Sequence, residues 1–139
     1  MFLLDTNVVS EIRKVKAGKA NPGIARWTGQ VDAAELFLSV IVIEELDTGI
    51  LRLERRDEVQ GRLLRGWLED HVLPTFSNRI LAVDLAVARV SAKLHVPDPA
   101  PVRDTYIAAT ALAHGMTLVT RNKGDFKTSG VPLLNPWLD

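Results

Sequence analysis

The sequence predicts an α/β protein, a three-layer α/β/α sandwich around a central, mainly parallel five-stranded sheet, and three observations predict it. Five short β-type runs recur along the chain, at Phe2-Leu4, Leu36-Ser39, Arg79-Val83, Thr117-Thr120 and Val131-Leu134. Longer segments with helical spacing lie between them, and strands alternating with helices indicate a parallel sheet covered on both faces. With 139 residues and no repeat or low-complexity interruption, residues 1–139 read as one domain with one core.

Each element has a local reason. Phe2-Leu3-Leu4 is an apolar run that ends abruptly at Asp5, and Thr6-Asn7 could cap the helix that follows. Asn21-Pro22-Gly23 separates a first helix from a second. After Ser39, the residues Ile43, Leu46, Ile50 and Leu53 fall at steps of three, four and three, which builds one apolar helix face. Asp84 is placed to cap a helix carrying Val87, Val90, Ser91 and Leu94 on one side. Pro97-Asp98-Pro99-Ala100-Pro101 forms a rigid connector. The next helix, Arg103 to His114, presents Ile107, Ala108, Ala111 and Leu112, and its small residues permit close approach to a sheet. Gly115 ends that helix, and Asn135-Pro136 closes the last strand.

Composition narrows the function classes. The chain has no cysteine, which excludes disulfides and cysteine-based zinc sites and fits a reducing cytoplasm. The start of the chain reads as a strand, not a signal peptide, and no apolar run approaches the roughly 20 residues a bilayer requires, so no membrane role is expected. With 17 basic and 17 acidic residues the net charge is zero. That neither supports nor excludes nucleic-acid binding, because acids clustered around a metal would hide a basic surface in the total.

Four acids stand out by setting. Asp5 follows a strand, where open α/β sheets place reactive groups, although a turn or cap residue would also be an acid here. Glu45 lies about one turn into a helix, beside Gly49, with Glu44 competing for its role. Asp104 sits in a first helical turn, where the macrodipole alone favours a carboxylate by about 0.3–1 kcal/mol. Asp125 belongs to Asn122-Lys123-Gly124-Asp125, which also reads as a plain turn. Taken singly each has a bland explanation. Three of the four fall at strand ends or helix starts, on what should be one edge of a parallel sheet, and converging hard oxygen ligands suggest a magnesium site and hence phosphate chemistry.

In order along the chain, these pieces resemble the PIN domain, and within it the VapC/FitB-like toxins of prokaryotic toxin–antitoxin pairs. The resemblance rests on Leu3-Leu4-Asp5-Thr6-Asn7, Glu45-Leu46 with Gly49-Ile50, Asp104-Thr105-Tyr106-Ile107-Ala108-Ala109-Thr110-Ala111, Thr120-Arg121-Asn122 through Asp125-Phe126, and Val131-Pro132-Leu133-Leu134-Asn135-Pro136-Trp137. It implies an acidic tetrad of Asp5, Glu45, Asp104 and Asp125 as catalytic residues and metal ligands. Thr6, Asn7, Thr120, Arg121 and Asn122 would lie around them, and Tyr106, larger than usual there, at the rim. It also implies Mg2+ or Mn2+ as cofactor, endoribonuclease activity on structured RNA such as transfer RNA, a homodimer, and a VapB-like antitoxin covering the acidic pocket.

Other constellations carry less. His71, His95 and His114 lack ligand spacing and read as surface or helix-end residues. There is no phosphate-binding loop ending in Lys-Ser/Thr and no nucleophile-elbow serine. Arg52, Arg55, Arg56, Arg62 and Arg65 form a basic run interleaved with acids, which suits a solvated, ion-paired face better than an RNA surface, and Arg121 is the better single candidate for substrate contact. Trp27, Trp67 and Trp137 read as core or interface anchors. Two rival functions stand beside the nuclease. An aspartyl-phosphate phosphohydrolase also begins with a strand ending in Asp, but it needs a second acid where Asn7 stands. A non-catalytic module could use the same acids to dock a basic peptide.

Overall fold

The computed structural model describes residues 1–138 and contains the five expected strands in order: β1 (Phe2–Leu4), β2 (Leu36–Ser39), β3 (Ile80–Leu81), β4 (Thr117–Val119) and β5 (Leu133–Leu134). They form one sheet in the order β3-β2-β1-β4-β5, and every strand pair is parallel. The outer strands β3 and β5 are only two residues long, shorter than the sequence runs predict. Each has a single neighbour, and short edges limit unwanted strand addition.

Seven α-helices accompany the strands among the described residues: α1 (Thr6–Ile12), α2 (Pro22–Gln30), α3 (Val40–Arg56), α4 (Glu58–Trp67), α5 (Leu73–Thr75), α6 (Leu85–Leu94) and α7 (Val102–Ala113). A π-helical stretch, Leu68–Val72, joins α4 to α5. The chain moves outward from β1 through β2 to β3, then crosses back over to β4. Because such crossovers are right-handed, the outward and returning connections use opposite faces of the sheet, which gives the three layers. Leu3, Leu4, Leu38, Leu118 and Ile107 are fully buried between them.

Most caps follow the sequence signals, although α1 is capped by Asp5 and not by Thr6-Asn7, because the helix already begins at Thr6. Asn21 accepts from Gly23 N–H at 2.8 Å, so Asn21-Pro22-Gly23 starts α2 rather than merely separating helices. Asp84 accepts from Val87 N–H at 3.0 Å, and Gly115 takes the left-handed conformation, φ +65°, after α7. The α3 face is turned slightly from expectation. Val42, Leu46 and Ile50, four residues apart, are buried, while Ile43 and Leu53 are half-buried at its margin.

The basic run is not one helix. Asp57 ends α3 and caps α4 by accepting from Gln60 N–H at 3.1 Å, so the chain folds back as a helical hairpin. Arg65 fastens it, donating to Asp47 at 2.7 Å and to Glu54 at 3.2 Å across the hairpin. Glu54 and Asp47 raise its pKa above the ordinary arginine range. Gly61 permits the close crossing, since a Cβ there would lie 2.7 Å from the Glu54 Cα. By contrast, a Cβ on Gly66 in the same helix would meet nothing nearer than an Asp70 oxygen at 3.9 Å.

The two glycines therefore predict opposite outcomes. Gly61→Ala should destabilise the fold, because overpacking costs about 1–3 kcal/mol and outweighs the roughly 1 kcal/mol helix gain. Gly66→Ala should stabilise it by about 0.5–1 kcal/mol. Denaturant midpoints of the two variants check the pair.

Candidate active site

The site is built where the sheet order reverses. β1 lies between β2 and β4, and the crevice beyond the carboxyl ends of β1 and β4 is the switch point at which open α/β sheets bind ligands. Asp5 and Thr120 are the first residues past those two strands. The Asp5 backbone N–H still pairs with Val119 C=O at 2.9 Å, while its buried side chain meets Thr120 beyond the end of β4.

Both oxygens of Asp5 are engaged. Oδ1 accepts from Thr6 N–H at 2.8 Å and caps α1; Oδ2 accepts from the Thr120 hydroxyl at 2.8 Å and the Asn7 amide at 3.3 Å. The capping explanation is thus correct, but it uses one oxygen only. Asn7 also accepts from Arg121 N–H at 3.2 Å, and the Thr120 hydroxyl accepts from Asn122 N–H at 3.0 Å. Asn7 orients Asp5 from the position a phosphohydrolase would give to its second acid.

Glu45 reaches the same place from α3. Ser39 caps that helix through Ile41 N–H at 3.0 Å, and two turns on Glu45 accepts from the Thr6 hydroxyl at 2.6 Å. Glu44 faces solvent, which separates the doubled glutamates that sequence left ambiguous. Gly49 is exposed beside open space, so nothing there requires a glycine.

Asp104 stands half-buried in the first turn of α7, and among the described residues no hydrogen bond holds its carboxylate. The helix start itself is held by a network that sequence reading missed. The buried Thr105 hydroxyl donates to Val102 C=O at 2.7 Å, accepts from the Ser91 hydroxyl at 3.0 Å, and meets His95 Nε2 at 3.2 Å. His95 Nδ1 accepts from Ala100 N–H at 3.2 Å. That bond leaves the proton on Nε2, which donates to Thr105. His95 does end a helix, as expected, but it also anchors the proline connector to α7; His71 and His114 are exposed. The only sequence sign of this role was the connector beside it.

Asp125 lies in a 3-10 segment, Lys123–Ser129, where sequence suggested a plain turn, and buried Phe126 pins the segment to the core. Asp125 is exposed, yet its charge reaches the other acids. Burial raises the Asp5 carboxyl above its ordinary range against the bonds from Thr120 and Thr6, and the charges of Glu45 and Asp125 raise it further. Asp104 is raised first by burial and then by Asp5, Asp125 and Glu45, with partial relief from Arg103. All four predicted acids therefore share one electrostatic neighbourhood, and among the described residues none has an ion-pair partner.

Such a donor set suits a hard divalent cation, which favours carboxylate oxygens and relieves their repulsion. Among the described residues no three of these side chains close into a ready-made cage. An ion held here would keep much of its water, as magnesium usually does.

The raised values fix a sign. A carboxyl with a higher pKa folded than unfolded binds protons preferentially in the folded state, so stability falls as pH rises from the ordinary aspartate range through the raised values. Metal-free protein should accordingly melt higher below neutrality, until other carboxylates titrate. Asp104→Asn should melt higher than wild type at neutral pH and show a flatter dependence. A pH series of thermal melts in a chelator tests this.

Comparison with known proteins places this geometry. The PIN domain family model matches residues 2–129. Toxin FitB from Neisseria gonorrhoeae is 37% identical, with 100% of both chains covered. VapC ribonuclease Y4jK from Sinorhizobium fredii is 35% identical over 99% of this chain and 98% of its own. The crystal structure of FitAcB from Neisseria gonorrhoeae superposes with a TM-score of 0.87 at 34% identity, covering 99% of each chain. Strand order, the four acids around the switch point and these likenesses agree: the chain belongs to the PIN domain family.

Proposed function

We propose that this chain is a divalent-metal-dependent endoribonuclease, the toxin of a toxin–antitoxin pair, with Asp5, Glu45, Asp104 and Asp125 as its acidic centre. The observation that carries the reading is the convergence of four carboxylates without ion-pair partners among the described residues near the β1–β4 crevice, two of them with raised pKa. Similarity to a toxin and to a VapC ribonuclease along the whole chain supports the substrate class. Mg2+ or Mn2+ as the ion, a structured RNA such as transfer RNA as target, cytoplasmic action, a homodimer and neutralisation by a VapB-like antitoxin complete the proposal.

The residues divide the work. Asp5 and Asp104 would hold the ion directly, with Glu45 and Asp125 completing its shell through water or holding a second ion. Bound there, the cation would neutralise phosphate charge and lower the pKa of water so that hydroxide is available as the nucleophile for phosphodiester hydrolysis. Thr120 and Asn7 fix the direction of Asp5, Thr6 does the same for Glu45, and the His95–Thr105 network fixes the helix start that carries Asp104. No histidine stands among these acids, so no side-chain imidazole serves as general base in this scheme.

Purified protein should cleave RNA only with added Mg2+ or Mn2+, and sequencing the 5′ ends of the products would give the target. Asp5→Asn and Asp104→Asn should each abolish cleavage while remaining folded; cleavage persisting in both would refute the reading. Glu45→Gln should lose activity while Glu44→Gln retains it. Thr120→Val should lower metal affinity or activity by about 10–100-fold, the usual effect of losing a group that orients a ligand.

A further inference from the structure

A cation bound in the acidic crevice would meet the scissile phosphate, but the flanking phosphates of an RNA strand need a basic group beside it. Arg121 follows Thr120 directly, and its side chain is exposed. Its guanidinium lies over the indole of Trp137, 5.4 Å from the ring centroid. Its backbone is fixed on both sides, with N–H given to Asn7 Oδ1 at 3.2 Å and C=O accepting from the buried Asn135 amide at 3.2 Å. Asn135 also accepts from Trp137 N–H at 2.9 Å, so one buried side chain places both the arginine backbone and the platform beneath it.

Arg121 does not serve as a counter-ion within the protein. Among the described residues no carboxylate forms an ion pair with it. Arg103, not Arg121, relieves Asp104, and Arg121 does not figure among the charges acting on Asp5. Its influence is felt instead at Glu11 on α1, where Asn21 N–H and Lys14 act more strongly. The guanidinium is therefore anchored on the Trp137 indole beside the centre and not paired with its acids. Stacking on an indole restrains the side chain while leaving its in-plane N–H donors free for bidentate contact with a phosphate.

We propose that Arg121, seated on Trp137, grips a backbone phosphate of the RNA next to the scissile bond rather than the scissile phosphate itself. This rests on the ribonuclease reading above. Arg121 would thus set how RNA is held and threaded, with Trp137 and Asn135 as positioning residues.

The test uses bulk transfer RNA and the Asp104→Asn protein, which is expected to bind without cutting, titrated across a salt series in Mg2+. Arg121→Ala in that background should weaken binding about tenfold at low salt and reduce the log–log salt slope by about one phosphate contact. Arg121→Lys should keep the slope but bind more weakly, as a point charge without the fork. Trp137→Ala should weaken binding in the same direction, and Trp137→Phe, which keeps an aromatic face, should restore most of it. In the cleaving protein, Arg121→Ala should raise KM and leave kcat within about twofold. Equal affinity and slope with and without Arg121 would overturn the clamp while leaving the ribonuclease reading standing. A fall in kcat at unchanged KM would overturn its flanking position. Absence of any RNA binding by the Asp104→Asn parent, together with absence of cleavage by wild type, would sink the ribonuclease reading itself.

Discussion

One hydrogen bond organises this molecule: the Thr120 hydroxyl to the Asp5 carboxylate, 2.8 Å, buried, between residues 115 apart in sequence. It joins the ends of the two central strands at the point where the sheet changes direction. Asp5 also caps α1, and Thr120 also receives Asn122 N–H, so the bond ties two strands, a helix and a loop into one rigid corner. A carboxylate in so buried a place needs charge-assisted or hydroxyl donors to remain oriented, and these are supplied by Thr6, Asn7 and Thr120. The other acids arrive against that corner.

The arrangement opposes the stability of the fold. Like charges brought together and partly desolvated are unfavourable, and no lysine or arginine among the described residues forms an ion pair with them. The compensation lies elsewhere, in a largely apolar, buried central sheet and in the hairpin fastened by Arg65. A protein that tolerates this tension without metal is prepared to gain stability when a cation binds, by simple mass action. Strain at a functional centre and relaxation outside it are two sides of one design.

Much of this was legible in the chain. The strands were marked by apolar runs, and the acids by their places after strands or at helix starts, because backbone geometry makes those positions recognisable locally. Asp84 as a cap and Gly115 as a stop were equally local. What escaped was set by contacts distant in sequence. The break at Asp57 divides what looked like one basic helix, because an acid that reads as part of a charged face caps a new helix when the chain turns back. The role of His95 depends on Thr105 and Ala100 meeting it in space, and nothing in a lone histidine announces which of its nitrogens is occupied. The resemblance already favoured Glu45 over Glu44, but only the rotation of α3 shows Glu45 meeting Thr6 while Glu44 faces solvent.

The strand order has a temporal meaning as well. β1 is the first strand of the chain, but its partner on one side is β4, which begins at Thr117. A ribosome delivers these residues in sequence, at about 5–20 per second, so Asp5 emerges many seconds before Thr120 can fasten it. Glu45 and Asp104 likewise wait for Asp125. A nascent chain shorter than this therefore carries the acids without their geometry. The order of synthesis thus makes the acids early and their shared geometry late, because Thr120 and Asp125 come only with β4 and the segment after it.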